Sequence, residues 1–158
     1  DMTTPVIFDT DAGTDIDDLY ALALILSHPN LDVLGVTTVS GDTQARARLV
    51  AKMLRLADRR DVPVYAGIQV PEALLERGVD ADSYKHLTHC ALVEPSDPEH
   101  DRKFGDAVAY MLKTLDQAEN PITIIGTGPW TNIAEVLKQA DETQKSMIEC
   151  IALMGGEG

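Results

Sequence analysis

The chain has 158 residues, 44% hydrophobic and 25% charged, a length and balance that suit one globular domain with a sizeable core and exclude a disordered chain. Its formal net charge of −13, from 26 acidic and 13 basic side chains, sets the summed field against phosphate backbones and anionic membranes, so no nucleic-acid partner is expected. The apolar stretch LYALALIL breaks at Ser27-His28-Pro29, short of the roughly 20 residues a membrane span needs, so no membrane span is expected.

The N-terminus, DMTTP, has no methionine at position 1 and reads as processed; the cytoplasm is the default location, with secretion left open. PVIFDTD then predicts a first strand and residues 15–28 a helix. LDVLGVTTVS reads as a second strand, 43–60 as a helix and VPVYAG as a third strand. Residues 68–103 lack clean periodicity and carry His86, His89 and His100; they read either as a lid or binding loop or as a surface excursion with a short helix at PEALLERG. A helix near 104–119, the strand PITIIGTG, a helix near 131–140 and the strand IECIALMGG complete the alternation. That last strand reads as central and buried, with Cys150 as a small hydrophobe inside it. Cys90 and Cys150 are too few and too dissimilar in context for a disulfide framework or zinc site and read as plain thiols.

Strands apolar on successive residues, alternating with helices, predict a doubly wound, mainly parallel, Rossmann-like open α/β sheet with helices on both faces. Ligands of such sheets bind outside the carboxyl ends of the strands. Here those ends read DTDAG, VSGD, YAG, GTGP and MGGEG, a concentration of aspartates, glycines and hydroxyls.

The stretch VIFDTDAGTDIDD puts Asp9, Asp11, Asp15, Asp17 and Asp18 at one turn. Carboxylates this close repel one another, and a cation reverses that cost. With no cysteine or histidine in the turn, oxygen donors favour Ca²⁺ or Mg²⁺ over zinc. The plainer alternative is that some of the five cap the following helix. An EF-hand fails, because the turn follows a strand and Tyr20 stands where its last glutamate belongs. A haloacid-dehalogenase-like phosphatase would use Asp9 as nucleophile and Asp11 as acid/base, with Ser40 imitating its second motif, yet Gly13 stands at the fifth position of its signature.

VIFDTDAGTDIDD resembles the opening signature of the nucleoside hydrolase family, inosine-uridine-preferring type, with two extra residues. TTVSGD, ITIIGTGPWTNIA and IALMGG resemble three later segments of that family in order and spacing. The resemblance implies calcium-dependent hydrolysis of the N-glycosidic bond of a ribonucleoside, releasing free base and ribose. Within it, Asp11 contacts calcium and is general base on the attacking water, Asp18 is a bidentate calcium ligand, and Thr127 gives calcium its backbone carbonyl. Asp17 grips a ribose hydroxyl, Asp42 and Met154 fall among the substrate contacts, and Asp9 and Asp15 support the ligands from behind.

The pattern departs from the family at two places. Asp42 stands where the family has a ribose-contacting asparagine, so the amide donor is lost. YKHLTHCALVEPS replaces the family's histidine-containing middle segment, and His86 and His89 read as loop histidines. Residues 1–158 are expected to form one nucleoside-hydrolase-like domain without the C-terminal part of the family fold, where a further aspartate ligand and other sugar contacts lie. A longer chain, a homo-oligomer or a partner chain would complete the site; a degenerate relative that binds a sugar or metal without hydrolysis is the alternative.

Overall fold

The computed structural model describes residues 3–78 and 87–155. Five strands, β1 (Thr4–Thr10), β2 (Leu31–Thr38), β3 (Val64–Ala66), β4 (Ile122–Gly126) and β5 (Ile148–Leu153), form one sheet in the order β3-β2-β1-β4-β5. Every pairing is parallel, so each connection must cross over the sheet, which is the work of the helices. These are α1 (Asp17–Ser27), α2 (Thr43–Leu56), α3 (Glu72–Leu75), α4 (Ala107–Gln117), α5 (Thr131–Gln139) and α6 (Glu142–Ser146), with a 3-10 turn at Thr88–Leu92.

Burial on β1 explains why the chain winds both ways. Val6 and Phe8 point to one face, where Leu19, Leu22 and Ile25 of α1 and Leu49, Val50 and Leu54 of α2 cover them. Ile7 points to the other, against Val108, Met111 and Leu115 of α4 and Val136 of α5. Both faces of the strand are therefore apolar, the pattern that distinguishes a parallel sheet from a half-solvated one. In β2 the register slips between Val6↔Val33 and Ile7↔Gly35. The extra residue lets Leu34 join Ile7 while Val33 and Val36 stay with Val6 and Phe8.

The doubly wound parallel sheet anticipated from the strand patterns is thus present. Among the described residues β5 pairs only with β4. Glu149, Cys150 and Ala152, read from the sequence as part of a central, buried strand, are exposed there, and Cys150 is a free thiol. The long connection resolves into α3 and the 3-10 turn within its described parts, and His86 lies outside the described residues.

No helix among the described residues is long and apolar enough to cross a membrane. In the order β3-β2-β1-β4-β5 the winding reverses between β1 and β4, so the crevice at their carboxyl ends is where such a sheet receives a ligand.

Candidate active site

β1 delivers Asp9 and Thr10 to the reversal point and the acidic turn follows immediately. Asp9 is fully buried: its Oδ1 accepts hydrogen bonds from Thr37 Oγ1 of β2 at 2.6 Å and from Asn132 Nδ2 of α5 at 2.9 Å. Its Oδ2 is buried without a partner. Burial pushes the carboxyl up from 3.8 to about 7, outweighing the two hydrogen bonds, which pull it down. An acid sealed beneath the turn cannot attack a substrate, which overturns the phosphatase alternative.

Asn132 is the bolt of this corner. Fully buried, its amide also donates to Thr38 O at 2.9 Å and accepts from Ile68 N at 2.9 Å, so one side chain from α5 ties the ends of β1 and β2 to the residues after β3. The closeness depends on Gly67, where a Cβ would come within 2.3 Å of both polar atoms of the Asn132 amide. Gly67→Ala is therefore expected to displace Asn132 and cost about 3 kcal/mol in a urea unfolding measurement, as overpacking a bonded core does. A cost below about 1 kcal/mol would show that the amide can move freely.

The turn itself is held by Arg46, a buried cation of α2 that is 3% exposed. Its Nε donates to Ser40 O at 2.7 Å, and its Nη1 donates to Asp11 O, to Ala12 O at 3.2 Å and to Thr14 Oγ1 at 3.1 Å. Ser40 sits in the left-handed region at φ 72°, uncommon for a residue with a side chain. The Arg46 bond and the Ser40 N to Ile68 O bond of 2.9 Å hold it there. From the divergent loop, His89 N bonds Gly13 O at 2.9 Å, so this segment docks on the acidic turn. The half-buried His89 has its Nδ1 buried without a partner.

Above this base, Asp11 is half-buried, Asp18 is buried, and Asp15 and Asp17 are exposed. Burial raises the Asp11 carboxyl, while Arg46 pulls it down and Asp17 pushes it up. Asp18 rises from 3.8 to about 6, mainly through burial, with Asp11 and Asp17 adding repulsion and the hydroxyls of Thr127 and Thr10 opposing it. Its Oδ1 is buried without a partner. The helix cap is Ile16, with no side-chain cap bond, so none of the five aspartates caps α1 through its side chain.

From the other side of the crevice, Thr127 N bonds Asp9 O at 2.9 Å and Thr127 Oγ1 donates to Thr10 Oγ1 at 3.0 Å. Asp11, Thr127 and Met154 line one open cavity of about 1240 Å³. Asp42 caps α2, accepting from Ala45 N at 2.9 Å, and is exposed.

Asp11, Asp17, Asp18 and Thr127 thus come together across the β1/β4 crevice. Among the described residues no group of three or more His, Cys, Asp or Glu side chains is arranged to hold a metal ion by itself. The donors fit a hard cation in kind: all are oxygens, they repel one another, and Asp18 presents a buried, unpartnered one. Arg46, Asn132 and Thr37 were not singled out by the sequence. For Arg46 a signal existed, since it lies one turn before Leu49 and Val50 on the buried stripe of α2.

Known proteins share this fold. The family profile for inosine-uridine preferring nucleoside hydrolases matches residues 6–158. The pyrimidine-specific ribonucleoside hydrolase RihA of Salmonella paratyphi A is 38% identical over 160 residues, covering 98% of this chain and 49% of its own length. A plant nucleoside hydrolase, PpNRh1, superposes with a TM-score of 0.75 at 29% identity, over 98% of this chain and 48% of that one. The purine-preferring ribonucleoside hydrolase of Gardnerella vaginalis gives 0.76 at 27% identity, with 98% and 49% covered. The chain spans about half the length of these relatives. With its reversal-point acidic turn and a match running from β1 past β5, the chain belongs to the inosine-uridine preferring nucleoside hydrolase family.

Proposed function

We propose that these residues form the acidic side of a site that hydrolyses the N-glycosidic bond of a ribonucleoside to free base and ribose. The observation that carries this reading is the meeting of Asp11, Asp17, Asp18 and Thr127 at the reversal point of a nucleoside-hydrolase fold. Asp11 is the general base: burial raises its carboxyl, which makes it a stronger proton acceptor than a free aspartate, and it lines the cavity. It orients a water by hydrogen bond and takes its proton as the oxygen bonds the anomeric carbon and the C–N pair leaves with the base. The neighbouring carboxylates favour the positive charge that develops on the sugar. The exposed Asp17 accepts from a ribose hydroxyl, with Asp42 as a further sugar contact, Met154 as a substrate contact, and Asp9 and Asp15 as supports.

Asp11, Asp18 and Thr127 would hold Ca²⁺, which supplies a Lewis acid that acidifies water and anchors sugar hydroxyls. Calcium takes six to eight oxygens, so the substrate, water and residues beyond these three complete its shell. Those residues come from further chain or from a neighbouring subunit.

A calcium titration followed by thermal shift tests the cation. Asp18 has a folded pKa of about 6 against 3.8 for the free side chain. The native state therefore holds a proton that the unfolded chain has released, and cation-free stability falls as pH rises through that window. Calcium competes with the same proton, so its stabilisation grows with pH. At a hundredfold excess over Kd the gain is about 2.7 kcal/mol, or roughly 5–10 °C, at pH 7.5. The gain is much smaller at pH 5 and lost in Asp18→Asn. No shift at pH 7.5 would refute the cation. Stabilisation without base release from any purine or pyrimidine riboside would leave a non-catalytic sugar- or metal-binding relative.

A further inference from the structure

The cavity that Asp11 and Thr127 line is also walled by Trp130, Met154, Leu75 and Leu112, alongside the charged Glu135 and Lys138. Met154 N bonds Gly126 O at 2.8 Å, which sets this residue beside Thr127. Trp130 is 49% exposed, with Met154 at 54% and Leu75 at 53%. An indole of that size left half in water on a cavity wall forgoes much of its burial energy. Although Trp130 stands at the cap position of α5, its side chain makes no cap bond there. The ring lies over the backbone of Gly155, where a built Cβ would come to van der Waals contact, 3.4 Å, with Trp130 Cζ2.

A ribonucleoside asks for both kinds of wall that this cavity offers, carboxylates and an aromatic ring. Its sugar presents hydroxyls suited to carboxylates, and its base presents a flat π face suited to an aromatic wall. Trp130 follows Thr127 by three residues, a span of at most about 10 Å, and lines the same cavity as Asp11, so a sugar held by the carboxylates leaves its base within reach of the indole.

We propose that Trp130 is the stacking platform for the base of the bound nucleoside, with Met154 packing beside it. This rests on the ribonucleoside reading above. Because every base has a π face, stacking is tolerant of base identity, so Trp130 supplies affinity for a base as such and leaves the choice of base to other groups.

The test uses the full protein with uridine, inosine, the free bases and ribose as separate probes. The sequence has a single tryptophan, so the expected signature is an emission change on adding nucleoside or free base, absent with ribose and lost in Trp130→Phe. Trp130→Ala is expected to raise KM for base release about tenfold to a hundredfold with kcat nearly unchanged, the mark of binding shared by ground and transition states. Trp130→Phe, which keeps a ring, recovers most of that loss. Base release with KM unchanged in Trp130→Ala and no emission response overturns the platform and leaves the hydrolase reading standing. A nucleoside-dependent emission change without turnover supports the platform and removes the hydrolase. No emission change and no base release from any probe overturns both.

Discussion

Replacing Asp9 by asparagine will flatten the dependence of stability on pH in the cation-free chain. Asp9 is held at about 7 when folded and at 3.8 when exposed. Between those values the native state keeps a proton that the unfolded state has released, and stability falls as pH rises. A gap of about three units corresponds to about 4 kcal/mol at most. Asparagine retains an oxygen to accept from Thr37 and Asn132 and has no proton to lose. Urea unfolding at pH 5 and pH 8 with a chelator present should show the wild type losing about 3 kcal/mol more across this interval than Asp9→Asn. Asp11 and Asp18 contribute slopes of the same sign, so the comparison rests on the difference between the two proteins. Parallel curves would mean that Asp9 ionises freely in the folded state.

Arg46→Ala will cost about 3–5 kcal/mol, the usual penalty for removing one side of a buried charged assembly. Its guanidinium serves the Ser40, Asp11 and Ala12 carbonyls and the Thr14 hydroxyl together. Without it the left-handed Ser40 loses a restraint and the carboxyls of Asp11 and Asp18 face each other with no cation beneath. Arg46 lowers the Asp11 carboxyl, so its removal moves the onset of calcium stabilisation to higher pH. Lysine should restore less than half the stability, because one ammonium cannot reproduce the planar fork. A loss under about 1 kcal/mol by urea unfolding, with an unmoved calcium profile, would show that the turn holds itself.

Both predictions concern residues of unequal visibility in the sequence. The strands were legible because both faces are covered, and the run VIF at 6–8 must then be apolar without interruption. The candidate site's place at the strand ends could be argued from sequence too, since acids and hydroxyls gathered there are costly unless something binds. What the pattern could not show is which sides of IECIALMGG are paired within this chain. Nor could it separate the roles of five neighbouring aspartates. Asp9 and Asp18 end up buried, Asp15 and Asp17 exposed, because the chain leaves β1 through a turn whose path is fixed by Arg46, 35 residues from Asp11 in sequence. Asn132 stood inside the motif GPWTNIA, but its partners lie on β1, β2 and after β3, and no spacing rule connects them.

Those partners also set when the corner can exist. Asp9 meets Thr37 across 28 residues and Asn132 across 123, and Thr127 meets Thr10 across 117. Contacts this remote must meet the entropy of closing long loops before they return anything, so they assemble late and together. Unlike an EF-hand loop, the acidic turn does not come with its own scaffold. A peptide cut from residues 6–26 holds all five carboxylates but lacks Arg46, Thr37, Asn132 and Thr127, which aim them. Ligand affinity at this corner is therefore a readout of the whole sheet having closed, and a ligand bound there acts on the finished fold, slowing its opening and leaving its formation to the chain.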